Sequence, residues 1–71
     1  MKRKIAYSNR LKALRTEAGL TQADLAERVG LTRQTIISIE GSKYSPTLDS
    51  AFLIADALNV DIGDVFYRPQ D

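Results

Sequence analysis

The chain contains no histidine and no cysteine, so metal sites and nucleophilic mechanisms built on those side chains are excluded. Its carboxylates scatter along helix exteriors and form no obvious pair for acid–base work. The residues whose types and spacing do suggest chemistry are Arg33, Gln34, Ile37 and Ser38. At about 100° per residue, they occupy one side of a helix whose inward direction is set by Ile36 and Ile39. Thr35 falls towards the buried flank. The chemistry is recognition of base edges: Arg pairs with guanine, Gln with adenine, and an aliphatic group meets the thymine methyl. A solvated amphipathic helix with ordinary polar residues fits the same pattern. The turn signals ahead of it favour DNA.

Those signals lie in TQADLAERVGLTRQTIISIEG, from Thr21 to Gly41. Thr21 is a natural N-cap, its hydroxyl accepting from a free amide of the first helical turn. Leu25, Ala26 and Val29 then line one side of a helix ending near Val29. Gly30 supplies the left-handed stop that a Cβ would resist. Only Leu31 separates it from Thr32, the cap of a second helix running to about Glu40. Helices joined this closely cross at a steep angle, as in a helix-turn-helix. Gln22 sits at the N-terminus of the first of the pair, where free amides and the helix dipole favour a phosphate. It either adds a side-chain donor there or is simply an exposed glutamine.

The remaining segments must hold this pair. Ser8 or Asn9 is expected to cap a helix to Glu17 or Ala18, with Leu11, Leu14 and Ala18 inward. Its cations Arg10, Lys12 and Arg15 are expected outside, near phosphates or merely solvating the helix. Gly41 to Pro46 reads as a loop. Thr47 caps a fourth helix in which Leu48, Ala51, Phe52, Ala55 and Leu58 follow helical spacing, with Ile54 beside them. Asn59 ends it. Asp61 caps a last short helix returning Ile62, Val65 and Phe66 to the core, and Pro69 stops anything further. Phe52 and Phe66 read as core residues. Leu53 falls outside the stripe, either a lone exposed leucine or, with Ile62, Phe66 or Tyr67, part of a self-association patch.

Seventy-one residues, 44% hydrophobic and 27% charged, make one ordinary globular domain with a modest core. Without cysteine there are no disulfides, which fits a reducing cytoplasm. No apolar run approaches the ~18–20 residues of a membrane span, and the basic start MKRK is followed by no signal-peptide core. Charge is unevenly placed. Met1 to Lys43 carries nine basic and four acidic residues; Tyr44 to Asp71 carries one basic and five acidic. A basic half containing the helix pair suits a polyanion, with uneven solvation as the plain alternative. The arm Met1–Tyr7 either tracks phosphates or a minor groove, or frays.

RLKALRTEAGLTQADLAERVGLTRQTIISIE, followed by KYSPTLDSAFLIADALNVDIGDVF, resembles the phage-repressor (lambda repressor and Cro-like) helix-turn-helix family. The likeness extends to its compact single-domain bacterial and archaeal members. It implies an all-α, five-helix fold reading DNA with helices two and three. It implies base contacts from Arg33, Gln34 and Ser38, with Thr32 capping beside a phosphate. Gln22, Lys43 and Tyr44 would meet the DNA backbone. Two features depart from the pattern: Gly41-Ser42 stands where the family often has Asn-Gly, and Ile37 where many relatives are polar. The expectation is a cytoplasmic transcriptional regulator, repressor-like, acting as a homodimer on double-stranded DNA without cofactor or evident small-molecule ligand. Its domain would span 8–67, between the basic arm (1–7) and a tail (68–71). An antitoxin-like protein-interaction module on the same fold is the main rival; an enzyme is a remote one.

Overall fold

The structure is a computed structural model describing residues 7–69. Strand β1 (Ser8–Asn9) is followed by helices α1 (Leu11–Glu17), α2 (Gln22–Val29), α3 (Arg33–Glu40), α4 (Leu48–Leu58) and α5 (Ile62–Val65), then strand β2 (Phe66–Tyr67). The helices are those expected from the sequence. The antiparallel ribbon is additional, pairing Ser8 with Tyr67 and Asn9 with Phe66. It ties the two ends of the domain together: the Arg10 amide donates to Val65 O at 2.9 Å, and the Tyr7 ring meets Phe66 edge-on at 6.3 Å. Residues 1–6 of the basic arm, and so its expected role on DNA, lie outside the described residues.

Local chemistry sets the helix ends. Thr21, Thr32 and Thr47 accept from the amides of Asp24, Thr35 and Ser50, each satisfying a donor that the helix cannot. Gly30 takes φ 74° at the end of α2, and Leu31 N then reaches Ala26 O at 2.9 Å. After α3 the left-handed residue is Ser42 (φ 59°) rather than Gly41 (φ −84°). Lys43 N donates to Ser38 O and Ser42 N to Ile39 O, at 2.9 and 3.0 Å. The Gly-Ser departure therefore keeps the usual helix-stop hydrogen bonds while placing a Cβ-bearing residue in the left-handed slot.

The start of α1 differs from expectation. Its cap position is Arg10, and Asn9 serves it from one residue further out, its Oδ1 accepting from Leu11 N at 3.1 Å. Asn9 Nδ2 meanwhile donates to Ile39 O at 3.1 Å, joining the ribbon to the last turn of α3.

At the opposite end of the helix pair, Asp24 completes a capping box on α2, its Oδ2 accepting from Thr21 N at 2.9 Å. That backbone hydrogen bond, with the Thr21 side chain and then Arg28 assisting, holds the Asp24 pKa below its ordinary 3.8. A depressed carboxylate stabilises the fold above its unfolded pKa and loses that contribution as pH falls through its folded one. Asp24→Asn is therefore expected to be less stable than wild type at neutral pH, with the gap closing below about pH 4. Parallel thermal melts at several pH values check this; a pH-independent gap would remove the carboxylate's charge from the account.

Leu11, Leu25, Ile36, Ile39, Ile54 and Val65 form the centre of the core. Four sequence expectations fail around it. Ala18 is exposed and Arg15 is buried, because Arg15 follows Leu11 by one helical turn and shares its inward side. Leu48 and Phe52 are 69% and 49% exposed. The apolar positions of α4 span a wider arc than its neighbours cover, so Ala51, Ile54, Ala55 and Leu58 are buried and the flank is left open. Phe66 does pack against the core.

Candidate nucleic-acid interface

With Ile36 and Ile39 at 0% and 1% exposure, α3 has no rotational freedom, and its opposite side must face outward. Arg33 and Gln34 are exposed there, while Ile37 and Ser38 are half-buried. All four residues predicted to read bases therefore share one solvent-facing side. The α3–α4 loop brings Lys43 and Tyr44, both exposed, beside it. Thr32, Gln34, Thr35, Ser38, Lys43 and Tyr44 together line an open cleft of about 370 Å³.

Across α3 from that cleft lies a buried polar cluster that the sequence reading missed. Arg15 Nε donates to Glu40 Oε2 at 2.6 Å, its Nη2 to Oε1 at 3.3 Å, and its Nη1 to Leu20 O at 2.7 Å. Both side chains are almost removed from solvent, at 10% and 6%. Gln22 Nε2 donates to Glu40 Oε1 at 3.1 Å. The residue expected to offer a side-chain donor to phosphate thus spends one amide hydrogen internally and keeps the other. The cluster locks the α2 N-terminus to the last turn of α3. Around that terminus, Thr21 N and Asp24 N are satisfied within the capping box, which leaves the amides of Gln22 and Ala23 as the outward donors of the first turn.

Of the cations expected outside, Lys12 is exposed. Arg10 is exposed but engaged, its Nε donating to Asp64 O at 3.3 Å and its guanidinium stacked 5.7 Å from the Tyr67 ring centre. A helix turned outward by its own apolar anchors, flanked on one side by a helix N-terminus and on the other by a lysine loop, has the layout for a groove and its two phosphate walls.

Comparison with known proteins agrees. The helix-turn-helix family profile matches residues 11–65. The chain belongs to this helix-turn-helix family. It is 49% identical over 63 residues to an uncharacterized HTH-type transcriptional regulator of Methanocaldococcus jannaschii, covering 89% of this chain and 96% of the relative. A second such regulator, from Methanothermobacter thermautotrophicus, is 55% identical over 58 residues, or 80% and 84% of the two chains. Among solved structures, the restriction-modification controller protein of Aeromonas hydrophila superposes with a TM-score of 0.74 at 33% identity, over 78% of this chain and 83% of that one. The resemblance read from the sequence is thereby borne out for this helix-turn-helix protein, in family and in fold. Among the described residues, no helix is long and apolar enough to cross a membrane.

Proposed function

We infer that this helix-turn-helix protein is a sequence-specific DNA-binding transcriptional regulator that lays α3 in the major groove. The observation carrying this reading is the outward side of α3: a base-reading set held open by two fully buried isoleucines on the far side. Arg33, Gln34, Ile37 and Ser38 are proposed as base contacts. Thr32, Lys43 and Tyr44 are proposed on the phosphates of one strand, and Gln22 with the α2 amides on the other. Phosphate contacts supply most of the affinity and make it strongly salt-dependent. Repression is the simplest output, since a protein seated on a promoter excludes polymerase. The protein acts where the DNA is, in the cytoplasm.

One reading helix covers only a few base pairs, so specificity calls for a symmetric homodimer on half-sites about one helical turn apart. Support comes from the open flank of α4. Leu48 and Phe52 are exposed one turn apart, and Leu48 helps line an apolar groove of about 240 Å³ with Tyr7, Pro46, Ala51, Ile62 and Phe66. This groove shares no residue with the reading cleft. Leu53, exposed at 49%, lies about 100° round the helix from Phe52 and so belongs to a different face.

The direct test is Gln34→Ala, titrated against a duplex selected from a random pool. Discrimination at one or two base pairs should relax, at ~1–3 kcal/mol on the favoured sequence. Equal loss on selected and random duplex would take base reading away from Gln34. Absence of any salt-sensitive duplex binding by the wild-type protein would instead favour a protein-interaction module.

A further inference from the structure

We propose that Thr35, which neither position on the reading side nor family resemblance assigns to DNA, donates a hydrogen bond to a backbone phosphate seated in the cleft between α3 and Lys43. The proposal rests on the DNA-binding reading above and deepens it. Thr35 lies about 100° round α3 from Gln34, on the half-buried flank rather than the outward side. With a helix in the major groove, its outward side meets base edges and its flanks meet the sugar–phosphate walls. The wall on this flank faces Lys43 and Tyr44, which line the same cleft as Thr32, Thr35 and Ser38.

The two threonine hydroxyls form one unit. Thr32 Oγ1 already accepts from Thr35 N at 3.1 Å, and the two Oγ1 atoms lie 2.9 Å apart, with either able to donate. Two hydroxyl hydrogens serve one mutual bond, and when Thr32 donates it the Thr35 hydrogen is left over. Neither hydroxyl has another partner among the described residues. The spare hydrogen is available to an acceptor in the cleft, and the neighbouring ammonium of Lys43 selects an anionic one. A volume of about 370 Å³ admits a phosphodiester oxygen with several waters, each needing about 30 Å³. Thr32 can donate that mutual bond while its oxygen still accepts from Thr35 N, so the cap on α3 is undisturbed.

The test is Thr35→Val beside Thr35→Ser on the intact chain, titrated against selected and random duplexes. Valine keeps the shape and the Thr35 amide that caps onto Thr32, and a thermal melt verifies folding. Thr35→Val should weaken both duplexes by a similar factor of about ten, the loss of one hydrogen bond to a charged group, while Thr35→Ser binds like wild type. Single methylphosphonate substitutions in the selected duplex locate the partner: one position per half-site should weaken wild type by a clearly larger factor than Thr35→Val, the remaining loss being the Lys43 charge contact. Wild-type affinity in Thr35→Val would overturn the proposal. So would a loss confined to the selected duplex, which would make the hydroxyl a base contact. Failure of the wild type itself to bind any duplex would remove the DNA reading together with this inference, a result distinguishable from either.

Discussion

Glu40→Ala is expected to destabilise the domain by about 3 kcal/mol, within the ~3–5 kcal/mol that follows when a buried ion pair loses one partner. Arg15 is 8% exposed, and among the described residues its guanidinium has only Glu40 and Leu20 O as partners. The substitution leaves that cation buried with a single carbonyl, and Gln22 loses its acceptor as well. In a domain of this size the effect would lower the melting temperature by roughly 10–25 °C. The pair need not be a net source of stability. Replacing both charges together, as Arg15→Met with Glu40→Leu, should recover most of the loss, since the penalty arises from the orphaned charge. Thermal melts of the single and double variants decide this. A single variant within ~0.5 kcal/mol of wild type, as at an ordinary surface site, would mean that Arg15 swings out to water and that the cluster does not lock α2 to α3.

Phe52→Gln is expected to leave the fold intact and shift the protein towards monomer. Half of this side chain is exposed, and Leu48, one turn earlier, lines an open apolar groove. In the proposed homodimer, a two-fold axis near that flank would set the Phe52 of each copy against the groove of the other, so one substitution would act twice. Glutamine favours helix, adds no charge next to Asp49 and Asp56, and removes the apolar contact. Uncoupling the two reading helices should lower affinity for a two-half-site duplex by a factor of ~10²–10⁴, while affinity for a single half-site stays the same. Sedimentation equilibrium with titration of both duplexes provides the check. Unchanged self-association would place the dimer contact elsewhere.

Much of the architecture could be read from residues whose effect is local. Thr21, Thr32 and Thr47 act on amides three positions away, and Gly30 and Asn59 act through their own dihedrals, so five helices and their order followed from the chain alone. The direction of α3 followed as well, because Ile36 and Ile39 are on the same helix as the face they turn outward. The ribbon was different: it joins Asn9 to Phe66, and two-residue strands carry no periodicity. Arg15 did leave a trace, one turn after Leu11 on the inward side. Reading it as buried required knowing that Glu40, 25 residues later, would end beneath it.

The sequence by itself determined the helix-turn-helix, its caps, its outward reading side and its family, since each depends on interactions within a helix turn or two. Only the tertiary structure decided how that unit is held. It engaged Gln22 with Glu40, moved Arg15 into the interior, joined Ser8–Asn9 to Phe66–Tyr67 in a ribbon, and left Leu48 and Phe52 uncovered. These outcomes depend on which surfaces meet across long stretches of chain, and helical spacing identifies an apolar face without saying what will cover it.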